Sequence, residues 1–374
     1  MEDNVKREKI FEKYTLNNGV EIKNRLVVTP MTLFVANQDG TFSEKDFNFM
    51  KKRGENMGMF IVEATLVCKG GKAFNGQPEA IGEEHLPSLR KVSEMLKAQG
   101  TKAILQIHHG GRLSIKELNN NDIVAPSYDE ETDAREITVK EIEDVIKAFG
   151  NATELAIKAG FDGVEIHGAN RYLIQQFYSE KTNSRNDEWG GSIQKRMKFP
   201  LAVIDSVVEA KKKCNADKFI IGYRFSPEEP DEKGITMAET FMLIDSLKEK
   251  PLQYLHISLP DFYIKAFRGA DTDMEAIKLI HERIDGKLPL IGVGGLYTGE
   301  DIERALEAGW AEFIALGKTV IINPNIGTLI AENREEEIVT ELDPEREDRY
   351  DLGDFLWGQV EQGGHRLLPP LKKK

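Results

Sequence analysis

The chain has 374 residues, of which 40% are hydrophobic and 30% are charged, a balance that suits a soluble globular protein. Its formal net charge of -13 provides no electrostatic footprint for a nucleic-acid partner. Its two cysteines, Cys68 and Cys214, are too few for a disulfide framework, a structural zinc site or an iron–sulfur cluster. The charged first residues do not fit a signal peptide, and no apolar run approaches the roughly 20 residues that span a bilayer. We therefore expect a cytoplasmic protein with no membrane partner.

Short apolar runs, rich in Val, Ile, Leu and Phe, recur along the chain and predict eight strands. Their near-continuous apolar character is typical of strands that are buried on both faces of a parallel sheet. The predicted strands are Leu26–Val28, Met59–Glu63, Ala103–Ile107, Gly163–Ile166, Phe219–Arg224, Tyr254–Ile257, Leu288–Gly292 and Phe313–Leu316.

Amphipathic stretches lie between these runs and predict helices. Ser88–Gln99 has apolar residues on one face and ends at Gly100, a natural C-cap. Val139–Ala159 follows Thr138, a good N-cap, with Glu141 in the position of a capping-box partner. The other predicted helices are Arg196–Lys213, Thr236–Lys248, Asp273–Ile284 and Gly299–Ala308.

The alternation of strand and helix predicts an α/β protein with the TIM (β/α)8 barrel fold. An open doubly wound sheet is the alternative, but it would be expected to place a Gly-rich phosphate loop after an early strand, and the sequence has none. We expect a single barrel domain over residues 1–331 and a charged C-terminal extension over residues 332–374. Two long connections, 111–140 and 258–273, follow strands and would lie on the C-terminal rim, where such barrels keep their active sites.

A polar cluster follows the fourth predicted strand. His167, Asn170 and Tyr172 lie within six residues where an apolar run ends. They bring together two hydrogen-bond donors and a phenol. Such a group can hold a carbonyl oxygen and deliver a proton nearby.

The sequence motifs at the strand ends, taken in this order, resemble those of the old yellow enzymes, the flavin-dependent ene-reductases. The resemblance runs from about Ile10 to Asn323 and covers most of the chain. The matching pieces are KNRLVVTPMT (Lys23–Thr32), VEA (Val62–Ala64), LQIHHGGR (Leu105–Arg112), the stretch Val164–Gly191, GYRFS (Gly222–Ser226), GVGG (Gly292–Gly295) and ALGK (Ala315–Lys318). Each piece lies at or just past a predicted strand end.

The resemblance implies FMN as the cofactor and assigns residues to its ring. Pro30, Met31 and Thr32 would lie beside the N5/O4 edge, and Ala64 would pack against the ring. Gln106 would read the pyrimidine side, because an amide can pair with an acceptor and a donor atom at once.

The same resemblance assigns residues to the charged parts of FMN. Arg224 would lie near N1/O2, where a fixed guanidinium stabilises the negative charge of the reduced ring. Gly294, Gly295, Gly317 and Lys318 follow the last two strands, the common phosphate site of TIM barrels. Glycines there let backbone N–H groups approach an anion closely.

For the reaction, the resemblance implies that NADH or NADPH reduces the flavin and that an activated alkene is the small-molecule substrate. His167 and Asn170 would hydrogen-bond the carbonyl oxygen of the alkene, and Tyr172 would protonate its α carbon. His108 and His109 are interpreted as structural. Phe34 and Arg171 depart from the family pattern where the pocket meets its substrate.

Other readings of the sequence stay open. One is an NADH oxidase or flavin reductase without a dedicated alkene, and another is a non-catalytic flavin-binding protein. A dienoyl-CoA-reductase type would need an iron–sulfur cluster and a second nucleotide-binding domain, for which two cysteines and 374 residues are too few. A tRNA-modifying flavin barrel is disfavoured by the acidic charge. No metal site is expected, and a homo-oligomer is compatible with the sequence.

Overall fold

A closed barrel of eight parallel strands forms the centre of the protein, whose computed structural model describes residues 8–364 and 367–373. The strands are β1 (Leu26–Val28), β2 (Met59–Leu66), β3 (Lys102–His108), β4 (Gly163–Gly168), β5 (Ile220–Phe225), β6 (Tyr254–Ile257), β7 (Leu290–Val293) and β8 (Phe313–Leu316). Each strand pairs with the next, and β8 closes the ring by pairing with β1. The predicted TIM barrel is confirmed.

The helices form the outer layer of the barrel. They are α1 (Glu44–Met50), α2 (Leu86–Ala98), α3 (Val139–Lys158), α4 (Leu173–Tyr178), α5 (Ile193–Arg196), α6 (Lys198–Lys213), α7 (Met237–Lys248), α8 (Ala276–Ile284), α9 (Gly299–Glu307), α10 (Lys318–Ile322), α11 (Ile326–Ala331) and α12 (Asp354–Glu361). The capping box predicted for Thr138 and Glu141 is present at the start of α3. No helix in the described ranges is both long and apolar enough to cross a membrane.

Many predicted boundaries lie one to three residues from those of the structure, and three differences involve an identifiable local feature. The strand β7 begins at Leu290, after Pro289, which has no backbone N–H to donate to a neighbouring strand. The helix α8 begins at Ala276 because Glu275 is still extended and forms a β-bridge with Lys265. The helix predicted over Arg196–Lys213 begins at Lys198 as α6, and Arg196 instead ends the short helix α5.

An apolar layer fills the lower part of the barrel interior. Ile61, Ile104, Ile220 and Phe313 belong to one buried cluster with Ile22 of the N-terminal hairpin. That hairpin pairs residues 14–15 with residues 21–22 just before β1, so it lies at the amino end of the barrel. Burial of each such side chain is worth about 1.5–3 kcal/mol. Buried polar side chains such as Gln106 and Arg224 come after this layer, closer to the carboxyl ends of their strands.

The segment after residue 331 packs on the barrel. Tyr350 and Trp357 are buried and belong to the main hydrophobic core between strands and helices. The fully buried side chain of Arg53 donates to the carbonyl oxygens of Tyr350 at 2.8 Å and of Val320 at 3.1 Å, and it pairs with the Asp351 carboxylate at 3.5 Å. The division into a barrel and an extension at residue 331 stays a prediction. Residues 365, 366 and 374 of the predicted extension lie outside the described part.

We predict that Arg53→Met lowers the free energy of unfolding by about 2–4 kcal/mol, because hydrogen bonds from a charged group are each worth about 1.5–3 kcal/mol. Urea unfolding followed by tryptophan fluorescence measures the change. Arg346→Met is the matched control, since Arg346 is half exposed and pairs with Asp348 on its own loop. Equal stability of the two variants would contradict the tethering role of Arg53.

Candidate active site at the carboxyl end of the barrel

His167 and Tyr172 lie in contact at the end of β4, with ring centroids 5.1 Å apart. His167 is the fifth residue of β4, and Tyr172 is the N-cap residue of α4. The backbone N–H of Ala169 donates to His167 Nδ1 at 3.3 Å, so the imidazole proton is on Nε2. Burial lowers the pKa of His167 well below its ordinary value, and nearby His108 and Arg224 lower it further. His167 is therefore a neutral hydrogen-bond donor.

The turn between these two residues holds Asn170 on the exposed rim. Asn170 and Arg171 both have left-handed backbone conformations, with φ of 57° and 64°. Ser226 accepts from the Asn170 backbone N–H at 2.9 Å, and the Ser258 hydroxyl donates to Asn170 Oδ1 at 2.8 Å. The amide N–H groups of Asn170 are thereby left as its donors. Arg171 pairs with Asp231 at 2.9 Å, which directs its charge to the surface.

A buried polar network lies inside the barrel next to this turn. The Glu165 carboxylate accepts from Gln106 Nε2 at 2.8 Å, from the Tyr254 hydroxyl at 3.1 Å and from His256 Nδ1 at 2.8 Å. Burial raises the pKa of Glu165, but the neighbouring His256 and Arg224 and the hydrogen bonds outweigh it and leave the pKa below its ordinary value. Burial also lowers the pKa of His256. We therefore assign an ionised Glu165, with Arg224 as a neighbouring balancing cation.

The register of the strands brings this network together. Gln106 lies opposite Glu165, and Glu165 lies opposite Gly222, which in turn lies opposite Tyr254. A Cβ atom at Gly222 would lie 2.0 Å from the Tyr254 ring. Gly222 therefore leaves the room through which the Tyr254 hydroxyl reaches Glu165.

The same network contains donors that lack a partner. Arg224 is buried, and its Nε has no hydrogen-bond partner among the described residues. From the same guanidinium, Nη2 donates a long hydrogen bond of 3.4 Å to the Ser258 hydroxyl. An unpaired buried donor of this kind costs about 1–3 kcal/mol. A ligand with an acceptor atom here, such as the N1/O2 edge of a flavin, would satisfy it, so the residues present fit FMN.

The segment predicted to line the ring edge follows β1. Pro30, Met31 and Thr32 are each half-buried. The next residue, Leu33, donates its backbone N–H to the Glu63 carboxyl at 3.0 Å, which fixes the segment against β2. Ala64 is buried at a bulge in β2.

The predicted phosphate residues follow β7 and β8. A Cβ at Gly294 would lie 2.6 Å from the backbone of Asp261, so only glycine fits there, and its neighbour Gly295 is exposed with a φ of 65°. A Cβ at Gly317 would meet Thr29 Cγ2 at 2.9 Å, which places this loop beside the segment after β1. Lys318 begins α10, and partial burial lowers its pKa.

The structure thus gathers the predicted residues in two neighbouring groups. His167, Tyr172, Gln106 and Arg224 share the ends of β3, β4 and β5. The segment Pro30–Thr32 follows β1, beside the predicted phosphate residues that follow β7 and β8. No contact recorded between described residues joins Asn170 directly to His167.

Glu165 and His256 were not predicted as site residues, and His108 was predicted to be structural. A signal was available for the first two, because each is a polar residue inside an apolar run. Glu165 is two positions before His167 and therefore points to the same face of β4. His108 ends β3, and its ring centroid lies 4.4 Å from that of Tyr172 and 5.2 Å from that of His167.

An aromatic wall continues from Tyr172 toward the C-terminal segment. Phe74 lies 5.9 Å from Tyr172, Phe34 lies 5.7 Å from Phe74, and Phe355 of α12 lies 4.5 Å from Phe34, measured between ring centroids. Phe34, predicted to lie where the pocket meets its substrate, thus belongs to a wall that the C-terminal segment completes.

We predict that His108 and His167 are both neutral at pH 5.5, with the proton on Nε2. Burial lowers the pKa of His108 to about 3, and protonation of either ring requires the pH to fall below its lowered pKa. Histidine-selective 15N NMR distinguishes the two ring nitrogens. Half-buried His281, whose pKa is raised by its hydrogen bond to Glu312, provides the internal contrast. Cationic spectra for His108 and His167 at this pH would contradict the assignment.

Comparison with known proteins places this geometry in a family. Residues 9–337 match the NADH:flavin oxidoreductase / NADH oxidase family. The chain is 45% identical over 361 residues to the probable NADH-dependent flavin oxidoreductase YqiG of Bacillus subtilis (strain 168), and the match covers 96% of this chain and 97% of that protein. It is 39% identical over 325 residues to the NADH:acrylate oxidoreductase of Vibrio harveyi, covering 84% of this chain but only 32% of that protein.

The fold comparison agrees with the sequence comparison. The solved structure of an old yellow enzyme homologue from Zymomonas mobilis matches with a TM-score of 0.76 at 24% identity, covering 89% of this chain and 95% of that chain. The resemblance drawn from the strand ends is thus confirmed. The chain belongs to the NADH:flavin oxidoreductase / NADH oxidase family, and it is an oxidoreductase with FMN as its flavin and a reduced nicotinamide as its electron donor.

Proposed function

We propose that the protein reduces the C=C bond of an α,β-unsaturated carbonyl compound with electrons from NADH or NADPH. The observation that carries this proposal is the contact between a neutral imidazole donor, His167, and a phenol, Tyr172, beside the buried cluster of Gln106 and Arg224. FMN, when bound, supplies hydride to the β carbon of the alkene.

His167 and Asn170 hold the substrate by its carbonyl oxygen in this proposal. As hydride adds to the β carbon, the π electrons of the C=C bond move toward the carbonyl and negative charge grows on its oxygen. Donors already aimed at that oxygen stabilise the charge without reorganisation. The Nε2–H of His167 and the amide N–H of Asn170 suit this role because both are neutral donors with their acceptor atoms already engaged.

Tyr172 completes the reaction as the general acid. Its phenol gives a proton to the α carbon, and water returns the proton to the phenolate, so the product is the saturated carbonyl compound. A phenol keeps its proton at neutral pH because its ordinary pKa is about 10. The position of Tyr172 at the start of α4, against His167 and Phe74, fixes the ring beside the carbonyl donors.

The proposed cofactor contacts follow the same geometry. Gln106 and Arg224 hold the pyrimidine and N1/O2 side of the flavin, Pro30–Thr32 and Ala64 line its ring, and the loops with Gly294, Gly295, Gly317 and Lys318 hold its phosphate. The unpaired Arg224 Nε and the close backbone approach at Gly294 support these assignments.

An NADH oxidase without a dedicated alkene is the second candidate, because the family description joins that activity to flavin reduction. The two functions separate in an anaerobic experiment. The purified flavoprotein is reduced with NADH or NADPH and then mixed with a small cyclic enone. Reoxidation of the flavin by the enone supports the ene-reductase, whereas reoxidation only after oxygen is admitted supports the oxidase.

We predict that Tyr172→Phe slows reoxidation by the enone about 100-fold or more while flavin reduction by the nicotinamide is retained, because general acid catalysis contributes roughly 100- to 10,000-fold. Stopped-flow absorbance of the flavin measures both half-reactions. Tyr14→Phe is the matched control, since Tyr14 lies in the hairpin at the opposite end of the barrel. An equal loss of both half-reactions in the Tyr172 variant would show that its assigned role is wrong.

We also predict that Glu165→Gln weakens FMN binding about tenfold, the effect of about 1.4 kcal/mol. The substitution removes the anion that orients Gln106 and balances Arg224. It also raises the midpoint potential of the bound flavin, because reduction adds negative charge beside an uncompensated guanidinium. Fluorescence titration and spectroelectrochemistry measure the two changes.

Glu312→Gln controls for the loss of one carboxylate, since Glu312 precedes β8 and pairs with His281 at the amino end of that strand. It is expected to leave FMN affinity and potential unchanged. Unchanged affinity and potential in the Glu165 variant would mean that Glu165 only stabilises the fold.

A further inference from the structure

We propose that His108 is a further catalytic residue, which donates a hydrogen bond from Nε2 to the substrate carbonyl oxygen from the buried side of the site. The inference rests on the proposed ene-reductase function and deepens it. From the sequence, His108 is interpreted as structural.

The His108 imidazole lies next to two residues of the proposed site. His108 is the last residue of β3, and its side chain is fully buried. Its ring centroid lies 4.4 Å from that of Tyr172, at an interplanar angle of 81°, and 5.2 Å from that of His167. His108 therefore contacts both the proposed proton donor and the proposed carbonyl donor.

The hydrogen bonds of Gln77 determine the tautomer of His108. The backbone N–H of Ala73 donates to Gln77 Oε1 at 2.8 Å, which fixes the orientation of the amide. Gln77 Nε2 then donates to the Ala64 carbonyl at 3.0 Å and faces His108 Nδ1 at 3.0 Å. Because an amide nitrogen only donates, Nδ1 of His108 is the acceptor and its proton is on Nε2.

The Nε2–H of His108 has no acceptor among the described residues. The atom is buried and has no hydrogen-bond partner in the described ranges 8–364 and 367–373. A buried donor left unpaired costs about 1–3 kcal/mol, so its retention beside two site residues points to an acceptor that arrives with the substrate.

The result is a pair of neighbouring neutral imidazoles that share the same tautomer. In His108 and in His167, Nδ1 accepts a hydrogen bond from the protein and Nε2 carries the proton. A carbonyl oxygen has two lone pairs and can accept from both rings. Asn170, in contrast, lies on the exposed rim with its oxygen tied to Ser258. The buried pair is thus placed to stabilise the oxyanion where water is excluded.

The two half-reactions distinguish this role from a structural one. Hydride addition to an enone builds negative charge on the oxygen, whereas hydride loss from NADH builds none on its carboxamide. A donor to the oxygen therefore accelerates reduction of the enone. It contributes only ground-state binding to reduction of the flavin by NADH. His108 donates a hydrogen bond throughout and transfers no proton, which leaves the proton balance with Tyr172.

The test compares His108→Phe, which keeps an aromatic ring, with His108→Gln, whose amide N–H replaces Nε2–H. Loss of one oxyanion donor costs about 100- to 1,000-fold in rate. We expect the limiting rate of anaerobic reoxidation by cyclohexenone to fall about 100-fold in His108→Phe and to recover at least about tenfold in His108→Gln. The limiting rate of reduction by NADH should change less than about threefold. His281→Phe, on the outer helix α8, is the matched control and should retain both rates.

The outcomes separate the two proposals. If wild-type flavin is never reoxidised by an enone, the proposed function fails. If wild type is reoxidised and His108→Phe matches it, or if His108→Phe loses both half-reactions equally and His108→Gln rescues neither, His108 is structural and the inference is overturned. Thermal unfolding and flavin content of each variant establish that the comparison is made on folded holoprotein.

Discussion

The site depends on one buried anion, the carboxylate of Glu165. It accepts hydrogen bonds from residues of β3 and β6 and lies beside the Arg224 guanidinium of β5, so it connects four adjacent strands of the barrel. A carboxylate without partners in such an interior would be neutralised, because burial alone penalises its charge by several kcal/mol. Here hydrogen bonds and a balancing cation keep it ionised. Its demand for partners fixes the orientation of Gln106 and His256 before any ligand binds.

Two simple constraints make this network possible. The apolar layer contributed by residues such as Ile61 and Ile220 fills the amino end of the barrel, and polar side chains such as Gln106 and Arg224 lie nearer the carboxyl end. Gly222, at the level of Glu165, leaves the space that the Tyr254 ring needs to cross the interior. Close packing and charge burial thus act on the same level of the barrel, and a single added methyl group at Gly222 would disturb both.

The turn after β4 places hydrogen-bond donors next to this buried network. Consecutive left-handed residues, Asn170 and Arg171, reverse the chain so that Tyr172 returns to the His167 ring. Together with the Gln77 amide, which sets the tautomer of His108, the turn produces neutral rings that carry the proton on Nε2, opposite the nitrogen that accepts from the protein. Neutral donors suit a reaction that creates negative charge on oxygen, since they stabilise the charge without competing for a proton.

Much of the fold was predictable from the sequence because each barrel strand is short, apolar and followed by a helix with its own caps. All eight barrel strands were predicted, with many bounds off by one to three residues. The differences at β7, α6 and α8 involve Pro289, a short helix that ends at Arg196 and a β-bridge at Glu275, none of which periodicity reveals. For the candidate site, strand-end motifs identified His167, Tyr172, Gln106 and Arg224 as neighbours. They could not identify the partners of Glu165, since Gln106, Tyr254 and His256 are up to 91 residues away in sequence.

The sequence by itself determined the barrel and the family, because hydrophobic period and strand-end motifs are local properties of the chain. Only the tertiary structure decided which nitrogen of each histidine carries a proton and which buried groups lack a partner. Those properties depend on strand register and on contacts between distant segments, such as Gln77 with His108, that no local pattern encodes.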